Sequence, residues 1–216
     1  MASWIVHLRV ADAVSDALPY LSPVHWLVGN IAPDSGVTAD DGTYAPPKTI
    51  SHWYGKRDGQ NYHRCADFYR EQVAPTRESE ARSFCLGYWC HLVTDQLWAK
   101  RIHRPQIARY GGEFADKAEL MRALKSEWYG QDALFLRQNP DFRAWRLFRS
   151  IKRFPNTYLD YFPPSAFEDR LAFIRDFYES PPDWFAREFV YLTQAEADAF
   201  VRETAKAVLR QLADNI

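Results

Sequence analysis

Residues 78–103 read ESEARSFCLGYWCHLVTDQLWAKRIH, and no other segment constrains the architecture as tightly. The apolar positions Phe84, Leu86, Tyr88, Trp89, Leu92, Val93 and Leu97 are spread over most of a helix circumference. A helix that is apolar nearly all round belongs at the centre of its domain. Pro105 is expected to end it, since proline removes a backbone donor and crowds the preceding turn. On the N-terminal side, residues 62–73 read as a short helix stopped near Pro75. Residues 35–61 carry Gly36, Gly42, Pro46, Pro47, Gly55 and Gly59 and read as a long irregular loop. Loops of that length are functional or disordered, and Asp34 and His52 near its ends favour the functional reading. Before it lie the apolar stretch VHWLVGNIAPDSG and a first helix over roughly 3–17. That helix has Ser3 as candidate N-cap and Ile5, Leu8, Val10 and Val14 as its stripe. On the C-terminal side, helices are expected over 115–136, shortly after Pro140, over 165–178 and over 194–213, with PNTYLDYFPP as a loop. No run alternates with period 2 and no repeat is visible, so the expectation is one all-α helical bundle spanning 1–216 as a single domain.

Composition narrows the class. The chain has 216 residues, 47% of them apolar, with 8 Trp, 12 Tyr and 14 Phe, enough for one large core. The net charge of −1 provides no strong field toward nucleic acid or an anionic membrane, so no nucleic-acid polymer is expected as partner. No stretch approaches the ~20 apolar residues of a membrane span, so stable membrane anchoring is not expected either. The opening MASWIVHLRVAD lacks a basic segment followed by a long apolar run, and a cytoplasmic location without a secretory signal is the expectation. Cys65, Cys85 and Cys90 have no CxxC spacing and read as buried free thiols.

All six histidines, His7, His25, His52, His63, His91 and His103, lie in the first 103 residues, so any imidazole-based site belongs there. The sharpest local signal is His91-Leu-Val-Thr-Asp95. Residues i and i+4 share a helix face, so both side chains can reach one metal ion. Buried aspartates are rare unless paired or metal-bound. Taken alone, the pair reads more simply as an ordinary His–Asp hydrogen bond. Asp34, in GNIAPDSG, alone reads as a turn aspartate. His52 alone reads as a packing histidine, and His7 as a core histidine with one hydrogen bond. Together the five residues make a ligand set suited to zinc, iron(II) or manganese. Helical bundles build such sites from side chains pointing inward. His63 is expected to be partly exposed and His25 structural. Arg9, Lys48, Lys56 and Arg57 are candidates to meet a phosphate. The absence of GxSxG, P-loop and GxGxxG motifs argues against serine hydrolases, P-loop NTPases and Rossmann dehydrogenases.

The strings WIVHLRVAD, GNIAPDSG, SHW and GYWCHLVTDQLW, in that order over roughly 3–103, resemble the zinc-dependent phospholipase C family, related to the S1/P1-type nucleases. The resemblance implies an all-α bundle with a zinc cluster in its core. It implies one ion on Asp34, His52, His91 and Asp95, and a second on His7 with Asp95 bridging. It further implies hydrolysis of a small phosphoester, such as a phospholipid head group or nucleotide, by metal-activated water, with Asp34 orienting or deprotonating that water. The chain departs from the family where a terminal Trp and amine would join the second ion, because Trp4 is internal. It departs again where a further His and an HxxxE would hold a third, because Arg101 stands at that His position. One tight ion and a weaker second are therefore expected, with His103, Asp132 or Glu127 as substitute donors. An HD-type phosphohydrolase is disfavoured, since no His-Asp dipeptide occurs. A non-catalytic helical metal-binding protein is the remaining alternative.

Overall fold

The computed structural model describes residues 1–38, 43–57, 60–186 and 188–214. Helix accounts for 67% of it and strand for 4%, which makes the protein all-α as the periodicity required. In chain order the helices are α1 (Trp4–Ser15), α2 (Pro23–Ile31), α3 (Lys48–Ser51), α4 (Cys65–Phe68) and α5 (Ser79–Trp98), followed by α6 (Arg104–Tyr110), α7 (Lys117–Gln138), α8 (Arg143–Ser150), α9 (Ala166–Glu179) and α10 (Gln194–Ala213).

α5 is the central rod. Its start is capped by the Glu78 carboxylate, which accepts from the amides of Glu80 and Ala81. Phe84, Leu86, Tyr88, Trp89, Leu92, Val93 and Trp98 are buried on it, so its apolar residues meet protein on almost every side. α2, α1, α10 and α4 pack around it. The contact with α2 is unusually close because two glycines face it. A Cβ on Gly29 would lie 2.1 Å from the Phe84 carbonyl oxygen, and one on Gly87 would lie 2.3 Å from the Trp26 carbonyl oxygen. Backbone therefore meets backbone along this seam. It is tied by Asn30 Nδ2, which donates to the Gly87 carbonyl at 3.2 Å.

Pro105 does not end the central helix. Residues Ala99–His103 form a π turn, and Pro105 falls in the first turn of α6, where its missing N–H would have had no helical partner. The helical chain continues through this turn rather than stopping. The long segment after Asp34 is also less irregular than expected. β1 (Val37–Thr38) pairs antiparallel with β2 (Tyr44–Ala45), and β3 (Tyr54–Arg57) with β4 (Gln60–His63), with Tyr54 opposite His63. These ribbons are too short for period-2 alternation to reveal them. β4 also takes Tyr62 and His63 from the helix expected over 62–73, which reduces to α4 and a π turn over Tyr69–Val73.

The other expected helices fall within two residues of their observed ends. α10 begins with a capping box between Thr193 and Glu196. The PNTYLDYFPP loop is organised by Asn156. Its side chain accepts from the Tyr158 and Leu159 amides and donates to the Leu159 and Phe162 carbonyls. All three cysteines are free and buried.

A buried histidine–aspartate centre

Four separate pieces of chain deliver the site. α1 brings His7. The 3-10 turn Ala32–Asp34, which continues α2, brings Asp34. α3 ends at His52, and the next residue, Trp53, has φ +49°, in the left-handed region. For a tryptophan that backbone is strained, and it turns the chain sharply just after His52. α5 brings His91 and Asp95 one turn apart. All five side chains are buried, with His7, His52 and His91 fully so. The structure thus brings together the five residues singled out from the sequence.

Their polar atoms converge. His7 Nε2 lies 3.3 Å from Asp95 Oδ1, His91 Nε2 lies 3.5 Å from Asp95 Oδ2, and His52 Nε2 lies 3.9 Å from the same oxygen. His52 Nε2 is also 3.2 Å from Asp34 Oδ1. The His7 and His91 rings stack in parallel with centroids 3.8 Å apart. One ligand atom from each of His7, His91 and Asp95, and one from each of Asp34, His52 and His91, fall within 4.8 Å of one another. Two ligands each ~2.0–2.2 Å from one tetrahedral ion sit roughly 3.3–3.6 Å apart, close to the separations observed.

Hydrogen bonding around the centre fixes which atoms face inward. His91 Nδ1 donates to the Asn30 carbonyl at 2.8 Å, leaving the Nε2 lone pair to point at the aspartates. His52 Nδ1 is 3.0 Å from Ser51 Oγ, leaving its Nε2 similarly disposed. The Trp4 indole N–H donates to Asp34 Oδ2 at 2.9 Å, and the Ala2 amide donates to Asp95 Oδ1 at 2.7 Å. His7 Nε2, His91 Nε2 and Asp95 Oδ2 remain buried without a hydrogen-bond partner. An ionised carboxylate held this deep costs several kcal/mol unless positive charge faces it. Orphaned imidazole lone pairs cost further. Divalent cations among these atoms would satisfy them, so the donor set fits zinc.

The electrostatics match that use. Burial drives His7 down to about 4, with His91 adding to the effect, and burial also lowers His52. Neutral imidazole is the ligand form. Burial opposes charge on Asp95, but the terminal amine, His7 and His91 hold it well below the usual carboxylate range. Burial likewise opposes charge on Asp34, and the His52 hydrogen bond overrides it, so Asp34 too is an anion. For His91, burial is outweighed by Asp95 and its pKa rises.

Other candidates fall elsewhere. His63 is buried rather than partly exposed. Its ring lies 6.2 Å from His52 and 4.6 Å from Tyr54, and burial lowers it to about 4. His25 hydrogen-bonds Ser22 at the start of α2 and lies 3.6 Å from Glu80, a structural role. His103 contacts Met121 and Trp128 and belongs to neither cluster. Asp132 accepts from Ser3 Oγ at 2.7 Å and from the Tyr178 hydroxyl. Glu127 accepts from the amides of Val190, Tyr191 and Leu192. Both carboxylates tie segments together, and neither belongs to a candidate metal cluster among the described residues. Arg9 is paired with Asp198 and stacked on Phe135. Lys56 is exposed, and the Arg57 side chain lies outside the described residues. Residues the motifs did not single out, Ala2, Asn30 and Trp4, complete the centre. The Ala2 and Asn30 contacts are made by backbone atoms, which leave no mark in composition.

Two cavities open on the centre. One, of about 360 Å³, is lined by Asp34, Trp4, Tyr44, Lys48, Tyr129 and Arg170 among others. The second, of about 780 Å³, includes Asp95, His63, Tyr54, Lys100, His103 and Arg104 in its lining.

An all-helical fold with a buried cluster of three imidazoles and two carboxylates beside open cavities defines a class: helical proteins whose core could hold a metal ion. The family model described as zinc dependent phospholipase C matches residues 6–178, and the chain belongs to that family. The match extends the sequence resemblance beyond His103, through α7, α8 and most of α9. No curated protein and no solved structure matches the chain. Among the described residues, no helix is long and apolar enough to cross a membrane.

Proposed function

We propose that this chain is a metal-dependent phosphoesterase that hydrolyses a small phosphoester, with Asp34, His52, His91 and Asp95 holding one zinc ion and His7 with Asp95 a second, weaker one. The observation that carries the reading is the convergence of His7 Nε2, His91 Nε2 and Asp95 Oδ2, buried and unpartnered, next to cavities open to substrate. Zinc bound there would lower the pKa of a water toward ~7 and polarise phosphoryl oxygens. The chain's own residues do the rest. Asp95 presents Oδ1 toward His7 and Oδ2 toward His91 and His52, a geometry suited to bridging. Asp34 is kept anionic and fixed by the Trp4 indole, so it accepts a proton or orients water from a set direction. The Asn30 carbonyl holds His91 in the ligating tautomer, and Ser51 Oγ, 3.0 Å from His52 Nδ1, orients the His52 ring. Iron or manganese is compatible with the same donors.

The test is turnover of a chromogenic phosphodiester and a monoester by zinc-loaded protein. Hydrolysis abolished by a chelator and restored by zinc supports the reading. Full zinc content with no turnover across diesters, monoesters and nucleotides would favour a non-catalytic metal-binding protein.

A further inference from the structure

Charge around the two cavities is lopsided. Lys48, Lys125 and Arg170 line the first, and Lys100 and Arg104 line the second. Among the described residues, the only carboxylates lining either are Asp34 and Asp95, both part of the centre. Among the described residues none of the five cations makes an ion pair, whereas Arg9, Arg70, Arg143 and Lys206 elsewhere do. This concentration occurs in a chain whose net charge is −1, so it is local.

Arg170 is the most informative of the five. Its guanidinium lies 5.8 Å from the Trp4 ring and 5.1 Å from Phe173. One terminal nitrogen donates to the Gly36 carbonyl at 2.6 Å. Its Nε is buried without a partner. A guanidinium clamped this way at the wall of the cavity is preorganised for an anion, because its planar fork matches phosphate or carboxylate oxygens. Tyr44 lines the same cavity, its hydroxyl donating to the Asp34 carbonyl at 3.1 Å. The cavity volume suits a small headgroup-sized ligand.

We infer that the cavity between Asp34 and Arg170 binds a second anionic group of the substrate, so that this site takes phosphoesters carrying a further phosphate or carboxylate. The inference rests on the phosphoesterase reading for the placement of the first phosphate at the centre. A substrate ending in an ammonium group would put positive charge among Lys48, Lys125 and Arg170. A group with a second phosphate finds there cations that, among the described residues, no carboxylate neutralises. The same chemistry is offered by a phosphorylated lipid headgroup and by a free bisphosphate.

The experiment compares inositol 1-phosphate with inositol 1,4-bisphosphate by titration calorimetry on zinc-loaded protein. The bisphosphate should bind at least tenfold tighter, and Lys125→Gln and Arg170→Gln should each remove most of that ratio. Lys125 is exposed, so its variant folds whatever Arg170→Gln does. A ratio near one in the unmodified protein, or a ratio untouched by both variants, would overturn the assignment. Turnover distinguishes the source. Phosphatidylinositol 4-phosphate in mixed micelles and soluble glycerophosphoinositol 4-phosphate are each compared with the counterpart lacking the 4-phosphate. Preference for either phosphorylated form supports the inference and names the source, and preference for the unphosphorylated forms contradicts it. An intact binding ratio with no turnover of any of them would overturn the phosphoesterase reading and leave the anion pocket standing.

Discussion

Gly87→Ala should loosen the seam that holds the centre together. A Cβ there would sit 2.3 Å from the Trp26 carbonyl oxygen and 2.8 Å from the Asn30 nitrogen, where ordinary contact begins at 3.4 Å. Both obstacles are backbone of α2, so relief requires α2 and α5 to part by about 1 Å. The Asn30 carbonyl accepts from His91 Nδ1 at 2.8 Å. A shift of that size takes the bond beyond its working range and frees the His91 ring to rotate. Overpacking of this kind costs about 1–3 kcal/mol. A buried imidazole N–H left unpaired adds about 1–3 kcal/mol, while the better helix propensity of alanine returns about 1 kcal/mol. The net expectation is a loss of about 1–5 kcal/mol, which for a chain of this size lowers Tm by roughly 2–20 °C. Thermal melts followed by circular dichroism at 222 nm, with zinc content measured on the same preparations, read both effects. A Tm within about 2 °C of the unmodified protein together with full zinc content would refute the reasoning.

Three further outcomes follow from the same geometry. Trp4→Phe keeps the ring but removes the indole N–H from Asp34 Oδ2; kcat should fall about tenfold with zinc content unchanged, and unchanged kcat would show that the indole does not position Asp34. His7→Ala should leave the first ion bound while abolishing the rise in activity with metal beyond one equivalent; a single stoichiometric site with a fully active variant would make His7 a core residue only. For metal-free protein the pH dependence has a definite sign. His7 and His63 fall to about 4 when folded, against 6.5 for the free side chain. Between those values the unfolded chain binds more protons than the folded one, so stability drops as pH falls through this window. For His63 alone the loss is at most about 3 kcal/mol, and denaturant midpoints that stay flat from pH 7 to 4 would contradict the placement of His63 in a buried neutral state.

The helices were legible because α5 carries apolar residues on nearly every face and because α1, α7, α9 and α10 show ordinary amphipathic spacing. The His91–Asp95 pair was legible for the same reason: helical geometry makes i and i+4 neighbours without any knowledge of the fold. Pro105 misled because proline marks a first turn as well as a last one, and only the π turn over Ala99–His103 shows which applies. The role of Asn30 is carried by its carbonyl and that of Ala2 by its amide, and neither leaves a pattern in side-chain types. His63 was misplaced because its burial comes from the β3–β4 ribbon folding over the centre, a tertiary event. Arg170 reaches the cavity from α9, and its distance in sequence from Trp4 and Asp34 hid a contact that only the packed bundle creates.

The central claim, that the buried histidine–aspartate cluster is a zinc centre, is tested most directly by elemental analysis. The protein is purified without added metal, then equilibrated with zinc and freed of excess by gel filtration. At least one zinc per chain is expected to remain, and His91→Ala should lose it. Protein that retains no zinc after equilibration, or a His91→Ala variant with undiminished zinc, would contradict the account.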